Sequence, residues 1–220
     1  VELRWVAPGE ALGSPDAVVI PGSKQTLRDL ASLRSSGLDA ELIRYAKNGG
    51  ELFGICGGMQ MLGAELHDPD GLEGEGPPGQ SGSNVPGLGL LPLRTVFGGD
   101  KALHQRQALV LWPDQQPQLK VEGFELHRGT SEAIEACDAL SADQGMGWIR
   151  ATTAGTYLHG IFENGPWRRR WLNRLRRRRG LADLSEQQPH HSRQRDALLD
   201  RLADAFEQHV NLEPLLDTST

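Results

Sequence analysis

The amino-acid sequence predicts an α/β fold: a mostly parallel sheet flanked by helices, with further helices at the C-terminus. Three observations predict it. Between Asp16 and Leu66, short apolar runs ended by glycine or proline alternate with helix-period stripes, the order that joins parallel strands through covering helices. The 220 residues are enough for one such domain with a real core. The 27 glycines and 13 prolines suit a sheet protein with many tight strand-helix turns better than a helical bundle.

The elements follow in order. "VELRWV" (Val1–Val6) alternates apolar and polar residues and is expected as a strand. A strand at the very first residue reads as the tail end of a longer protein. "DAVVIPGS" (Asp16–Ser23) is a buried strand stopped by Pro-Gly. In "KQTLRDLASLRSSGL", Leu27, Leu30, Ala31 and Leu33 share a helical face, and Gly37 is the stop. Leu38, Leu42, Ile43 and Ala46 form the stripe of a second helix, closed by Gly49-Gly50. "ELFGIC" is the next buried strand. "GGMQMLGAEL" returns to helical spacing through Met59, Leu62 and Leu66. Residues 68–87 are loop, rich in Gly, Pro, Ser, Asn and Asp, and long enough to be functional or mobile. Short strands are expected in "LGLLPLRTVF", "QALVLWP", "KVEGFELHRGTS" and "MGWIRATTAGTYLHGIF". Helices close the chain from Trp167 to about Arg179 and from about Ser192 to Val210. The eight arginines between Arg168 and Arg179 read as a solvated helix face beside the apolar stripe of Trp167, Trp171, Leu172 and Leu175, in preference to an anion-binding patch.

Composition excludes several functions. The net charge of −6 argues against a nucleic-acid partner. The two cysteines, Cys56 and Cys137, make no disulfide framework and no C-x-x-C pair, so no metal site is expected and a reducing compartment is. The N-terminal residues have no signal-peptide pattern, and no apolar run approaches the roughly 20 residues that span a bilayer. A cytoplasmic protein without a membrane partner is expected.

The chemistry centres on Cys56. A lone cysteine in an apolar stretch is more often core than nucleophile, but "GICGG" places this one where a buried strand hands directly to a helix. That is the nucleophile-elbow arrangement, with the side chain held at the carboxyl edge of the sheet. The helix N-terminus is expected to favour the thiolate. The glycines at 54, 57 and 58 allow the turn, and the Gly57 N–H is free to stabilise an oxyanion. A thiol nucleophile needs a base. Among seven histidines, His159 in "GTYLHGIF" sits at a strand end before glycine, and His127 in "GFELHRG" is its rival. Cys137 lacks a glycine turn and is read as structural.

The blocks "VVIPGSKQTLRDLASLR", "ICGGMQMLG", "DPDGLEG", "GLGLLPLRT", "GFELHRGTS" and "GTYLHGIF", in this order, resemble the class I (triad-type) glutamine amidotransferase domain. More narrowly, they resemble the C-terminal domain of the cobyric acid synthase family, and they span nearly the whole chain. The resemblance implies a flavodoxin-like fold and a glutaminase whose Cys56 attacks the glutamine side-chain amide. His159 supplies the proton for departing ammonia and then activates the water that hydrolyses the glutamyl thioester. Oxyanion and substrate contacts fall to Gly22 and Ser23 of the Pro21-Gly22-Ser23 loop, to Gly57 and to Gln60. The ammonia would serve a synthase domain in which ATP, with Mg2+, activates the carboxylates of the corrinoid substrate. Adenosylcobyrinic acid a,c-diamide would thereby become adenosylcobyric acid, a step of cobalamin biosynthesis. No cofactor is expected within this domain itself.

Two departures qualify the resemblance. Triad members carry Glu two residues after the histidine, where this chain has Ile161; the cobyric acid synthase branch shares that loss. Orientation of His159 then falls to a backbone carbonyl or to Glu163, with Glu163 preferred. No G-x-x-x-x-G-K-[ST] occurs, and the chain opens on what should be the domain's second strand. Residues 1–220 are therefore expected as one amidotransferase domain lacking its first strand and the upstream ATP-dependent synthase domain. Glu125 and His127 are candidate couplers between synthase and glutaminase. Two other readings stand beside this one: a stand-alone glutaminase subunit of another amidating ligase, such as one acting on cell-wall lipid, and a non-catalytic scaffold.

Overall fold

The run "AVVI" becomes strand β1 (Ala17–Ile20), and "ELFGI" becomes β2 (Glu51–Ile55). Between them lie α1 (Thr26–Ser35) and α2 (Leu38–Lys47), both predicted by their apolar stripes. The computed structural model describes residues 1–73, 84–99, 101–114 and 119–210. After β2 come α3 (Gly57–Leu62), β3 (Glu65–His67), β4 (Asn84–Pro86) and β5 (Leu93–Val96). The long pair β6 (Ala102–Val110) and β7 (Leu119–His127) follows, then β8 (Thr130–Ala133) and β9 (Asp138–Ala139). β10 (Gly147–Arg150), β11 (Thr153–Thr156) and β12 (Leu158–His159) lead through a short 3-10 turn to α4 (Gly165–Arg178) and α5 (His191–His209).

The strands form three sheets. The largest has the order β1-β2-β11-β10-β9, with β1 and β11 both parallel to β2. The second, β12-β7-β6, is antiparallel, and the third is β4-β3-β5-β8, with β3 and β5 parallel. The α/β class holds. Parallel pairing is confined to the centre of the first sheet and to β3–β5, while the later strands add on antiparallel.

Three elements differ from expectation. Val1–Val6 is not a strand; Val1, Leu3 and Trp5 are exposed, and among the described residues β1 pairs with β2 alone. Alternation alone does not make a strand when its apolar side chains face no core. α3 ends at Leu62, and Leu66 lies in β3 opposite Thr95 and Val85. Leu66 is fully buried there, so sheet pairing overrides its helical spacing. Of the predicted loop 68–87, residues 74–83 lie outside the described residues, and Asn84–Pro86 is the strand β4, paired antiparallel with β3 with Val85 buried.

The core runs under the first sheet. The Phe53 ring packs 5.8 Å from Trp112 and 5.7 Å from Trp167, with Phe162 edge-on at 5.5 Å. These contacts seat α4 on β2. At the base of β2, buried Glu51 accepts from Arg174 (2.6 Å) and Arg178 (3.0 Å) of α4. Arg170 pairs with Glu186, Arg177 with Asp114 and Arg179 with Asp16. The arginine run is thus a solvated face only at its end, where Arg177, Arg178 and Arg179 are exposed, and it is no open anion patch, because five of its eight arginines bind the chain's own carboxylates.

Candidate active site

Cys56 joins β2 to α3 at φ 52°, ψ −113°, a backbone conformation unusual for any residue with a side chain. It is held there from both sides. Its N–H donates to the Thr156 carbonyl (2.8 Å) and its carbonyl accepts from Gln60 N–H (2.9 Å). The following glycines are required by close approach: a Cβ on Gly58 would lie 2.1 Å from the Ile20 carbonyl oxygen, and one on Gly57 2.8 Å from Ser23 N. The end of β1 therefore presses against the start of α3. Such strained turns persist only where the surroundings enforce them, at a cost of roughly 1–3 kcal/mol.

The residues expected to act together converge. A Cβ on Gly22 would stand 3.3 Å from His159 Cε1 and 3.7 Å from Cys56 Cβ, so this glycine's backbone lies beside both side chains. The Ser23 and Gly57 backbones adjoin, which places two candidate oxyanion donors together. The Ser23 hydroxyl is engaged locally, donating to Asp29 and accepting from Gln25 N–H.

His159 ends β12, paired with Phe124 of β7. Its ring stacks on Phe124 (4.9 Å, 8° between planes), and Nε2 donates to the Leu126 carbonyl (3.3 Å). Glu163 makes no hydrogen bond to His159 among the described residues; the Leu126 carbonyl and the Phe124 ring hold the imidazole instead. Burial holds the His159 pKa below its ordinary value of 6.5; the Leu126 carbonyl works against that shift, and the charge of His127 adds to it.

The thiol behaves differently from expectation. Cys56 stands at the carboxyl end of β2, as expected, but its side chain is buried, and its Sγ donates to the same Leu126 carbonyl (3.4 Å). Burial pushes the Cys56 pKa up to about 11, against the Gly57 N–H, with the charge of Glu73 adding to the rise and Lys101 opposing it. A six-residue helix gives too little field to reverse that.

Gln60 is fully engaged with protein. Its Nε2 donates to the Arg128 carbonyl (3.2 Å) and to the Tyr157 hydroxyl oxygen (3.1 Å), and its Oε1 accepts from Thr26 Oγ1 (3.3 Å). It ties α3 to the turn after β7 rather than reaching into open space. Tyr157 and Ser131 share a 2.6 Å hydrogen bond, and the His127 ring stacks 3.6 Å from the Tyr157 ring. His127 Nε2 meets Glu125 Oε1 at 2.8 Å, while its Nδ1 donates to the Gly129 carbonyl (3.0 Å). Glu125 also accepts from Arg106 Nε (2.7 Å). Burial opposes ionisation of Glu125, but its bonds to His127 and Arg106 outweigh this and hold its pKa low.

Sequence reasoning missed Leu126, whose side chain has no special chemistry and whose carbonyl acts. It also missed Tyr157 and Glu73. Asp68 accepts from the N–H groups of Leu72 (2.8 Å) and Glu73 (2.9 Å), and this turn delivers the half-buried Glu73 carboxylate to Thr26 N–H (2.7 Å). The "DPDGLEG" block was the available signal. Among the described residues no group of three or more His, Cys, Asp or Glu side chains could hold a metal ion, and no helix is long and apolar enough to cross a membrane.

The profile of the CobB/CobQ-like glutamine amidotransferase domain matches residues 1–167. A cobyric acid synthase of Synechococcus sp. (strain WH7803) is 68% identical over 222 residues, covering 98% of this chain and 45% of that protein. A second, from strain CC9311, is 65% identical over all of this chain and 44% of its own length. The cobyric acid synthase of Prochlorococcus marinus (strain MIT 9313) is 56% identical over 99% of this chain and 44% of its own. The chain thus spans less than half the length of these relatives. Among solved structures, a glutamine amidotransferase superposes with a TM-score of 0.58 at 17% identity, covering 80% of this chain and 86% of that one. PurLQS from Thermotoga maritima superposes at 0.51 and 13% identity, over 72% of this chain and 74% of that one; both show the shared fold. The chain belongs to the CobB/CobQ-like glutamine amidotransferase domain family.

Proposed function

We propose that this chain is the glutaminase portion of a cobyric acid synthase. The observation that carries the reading is Cys56 on a strained strand-to-helix turn, with His159, Gly22, Ser23 and Gly57 gathered around it. In the reaction, the thiol proton passes to the His159 imidazole and the sulfur electron pair forms a bond to the glutamine Cδ. The carbonyl π pair moves to oxygen, where the Gly57 and Ser23 N–H groups receive it. Collapse expels ammonia, which takes the proton from His159. Water, deprotonated by His159, then breaks the thioester to release glutamate and restore the thiol. Glu73 and Arg128 offer opposite charges for the ammonium and carboxylate of glutamine; burial raises the Glu73 pKa, and the Arg128 charge works against that rise.

The ammonia serves the remainder of the protein, where ATP and Mg2+ activate carboxylates of adenosylcobyrinic acid a,c-diamide for conversion to adenosylcobyric acid. The relatives' names support this assignment. Two unpaired cysteines suit a cytoplasmic location. The test uses the full-length protein with ATP and the corrinoid diamide. Cys56→Ala and His159→Ala should abolish glutamine-dependent amidation while amidation from added ammonium persists. Glutamine-dependent amidation that survives Cys56→Ala would sink the reading.

A further inference from the structure

Leu126 offers one carbonyl oxygen to two donors, the Cys56 thiol at 3.4 Å and His159 Nε2 at 3.3 Å. A carbonyl oxygen accepts hydrogen bonds but is far too weakly basic to take a proton. While Sγ–H and Nε2–H are both bonded to it, Nε2 offers the thiol no lone pair, and among the described residues Cys56 and His159 make no hydrogen bond to each other. The arrangement gathers nucleophile and base but keeps them from reacting.

The strand that carries this carbonyl is clamped on both sides of Leu126. Glu125 and His127 lie on one face of β7, as residues two apart in a strand do. Their side chains meet at 2.8 Å. Arg106 of β6 closes on Glu125 with two contacts, Nη2 at 2.6 Å and Nε at 2.7 Å. The far side of His127 is fixed by the Gly129 carbonyl (3.0 Å) and by the Tyr157 ring (3.6 Å). With both flanking side chains tied down, the peptide between them has one orientation. Arg106 is the outermost member, with its side chain 44% exposed, so the clamp can be reached from the surface.

We infer that Arg106, Glu125 and His127 are positioning residues that hold the Leu126 carbonyl as a latch between Cys56 and His159, and that glutamine hydrolysis requires this carbonyl to withdraw. The inference rests on the glutaminase reading above and deepens it: it names what keeps the glutaminase idle until the clamp is disturbed. Once the oxygen moves, Nε2 is freed from its bond to it and the ring can take the tautomer that carries its hydrogen on Nδ1; the S–H bond then breaks toward the Nε2 lone pair, an N–H bond forms there, and the resulting thiolate, paired with the imidazolium, faces the substrate.

The test reads the thiol itself. In full-length protein at neutral pH, carboxamidomethylation of Cys56 by iodoacetamide is followed by mass spectrometry, with Cys137 as internal reference. Arg106→Ala should speed modification of Cys56 by about five- to tenfold, the size of one lost hydrogen bond, and leave Cys137 unchanged. It should also raise glutamine hydrolysis in the absence of ATP and corrinoid, and Arg106→Lys should restore most of the wild-type restraint. Unchanged or slower labelling of Cys56, or equal acceleration at both cysteines, overturns the latch. The labelling rate does not depend on which substrate the thiol attacks, so its failure is distinguishable from failure of the glutaminase assignment, which the corrinoid assay reads.

Discussion

Cys56 and His159 are each shifted by burial away from the charged form, in opposite numerical directions. Burial raises the thiol to about 11 and holds the imidazole below 6.5. At neutral pH the resting pair is therefore a neutral thiol beside a neutral imidazole, with the base ready and the acid unspent. A lowered His159 stays deprotonated further into acid than a free histidine does. The acid limb of kcat/KM for glutamine hydrolysis should accordingly have its midpoint below 6.5. A midpoint above that value would show that the Leu126 carbonyl, which favours the protonated ring, outweighs burial. The pair could be picked from the sequence because a glycine-bounded turn after an apolar run has few other uses. Leu126 could not, since a backbone carbonyl is present at every residue and only position gives it a role.

α4 shows how an element is seated by both halves of its side-chain set. Trp167 and Trp171 pack against Phe53, and Arg174 and Arg178 converge on the Glu51 carboxylate. Glu51 is 1% exposed, whereas both arginines are partly open to water. Removing one side should then cost more than removing the other. The double substitution Arg174→Ala, Arg178→Ala strands a buried carboxylate and should cost about 3 kcal/mol. Glu51→Met leaves two arginines that can turn outward, and about 1 kcal/mol is expected. Urea denaturation of the two variants checks this, and equal losses would contradict it. The stripe of α4 was legible in its tryptophans. The partners of its arginines were not, because Glu51 and Asp16 lie more than a hundred residues away in the chain and only the fold brings them near.

Across the whole molecule, stability and exposure are unevenly spread. The buried side chains gather under the first sheet and between α3, β3 and β5. No residue of α5 is buried, and Leu198, Leu199, Leu202 and Phe206 are exposed along it. A helix that buries none of its side chains among the described residues adds little to the cooperative unit. Deleting residues from His191 onward should shift the melting temperature by no more than about 2 °C, as followed by calorimetry. A larger loss would mean that α5 is packed in solution. The long β6–β7 pair has the converse role. Its nine-residue strands, paired from Ala102↔His127 to Val110↔Leu119, carry Phe124 and Leu126 from a separate sheet to the end of β2.

The sequence by itself determined the α/β class, the two helices between β1 and β2, the turn at Cys56, and the place of His159 at a strand end. Each is a local matter: apolar period, glycine spacing, and residue type at a strand end. It misjudged Val1–Val6, whose apolar side chains face no core, and the end of α3, where sheet pairing outweighs local pattern. Only the tertiary structure decided that Gln60 is spent on Arg128, Tyr157 and Thr26, that the thiol is covered, and that one carbonyl from β7 is shared by Cys56 and His159. Those facts depend on which strands become neighbours, and burial and hydrogen bonding are properties of the neighbourhood, not of the residue.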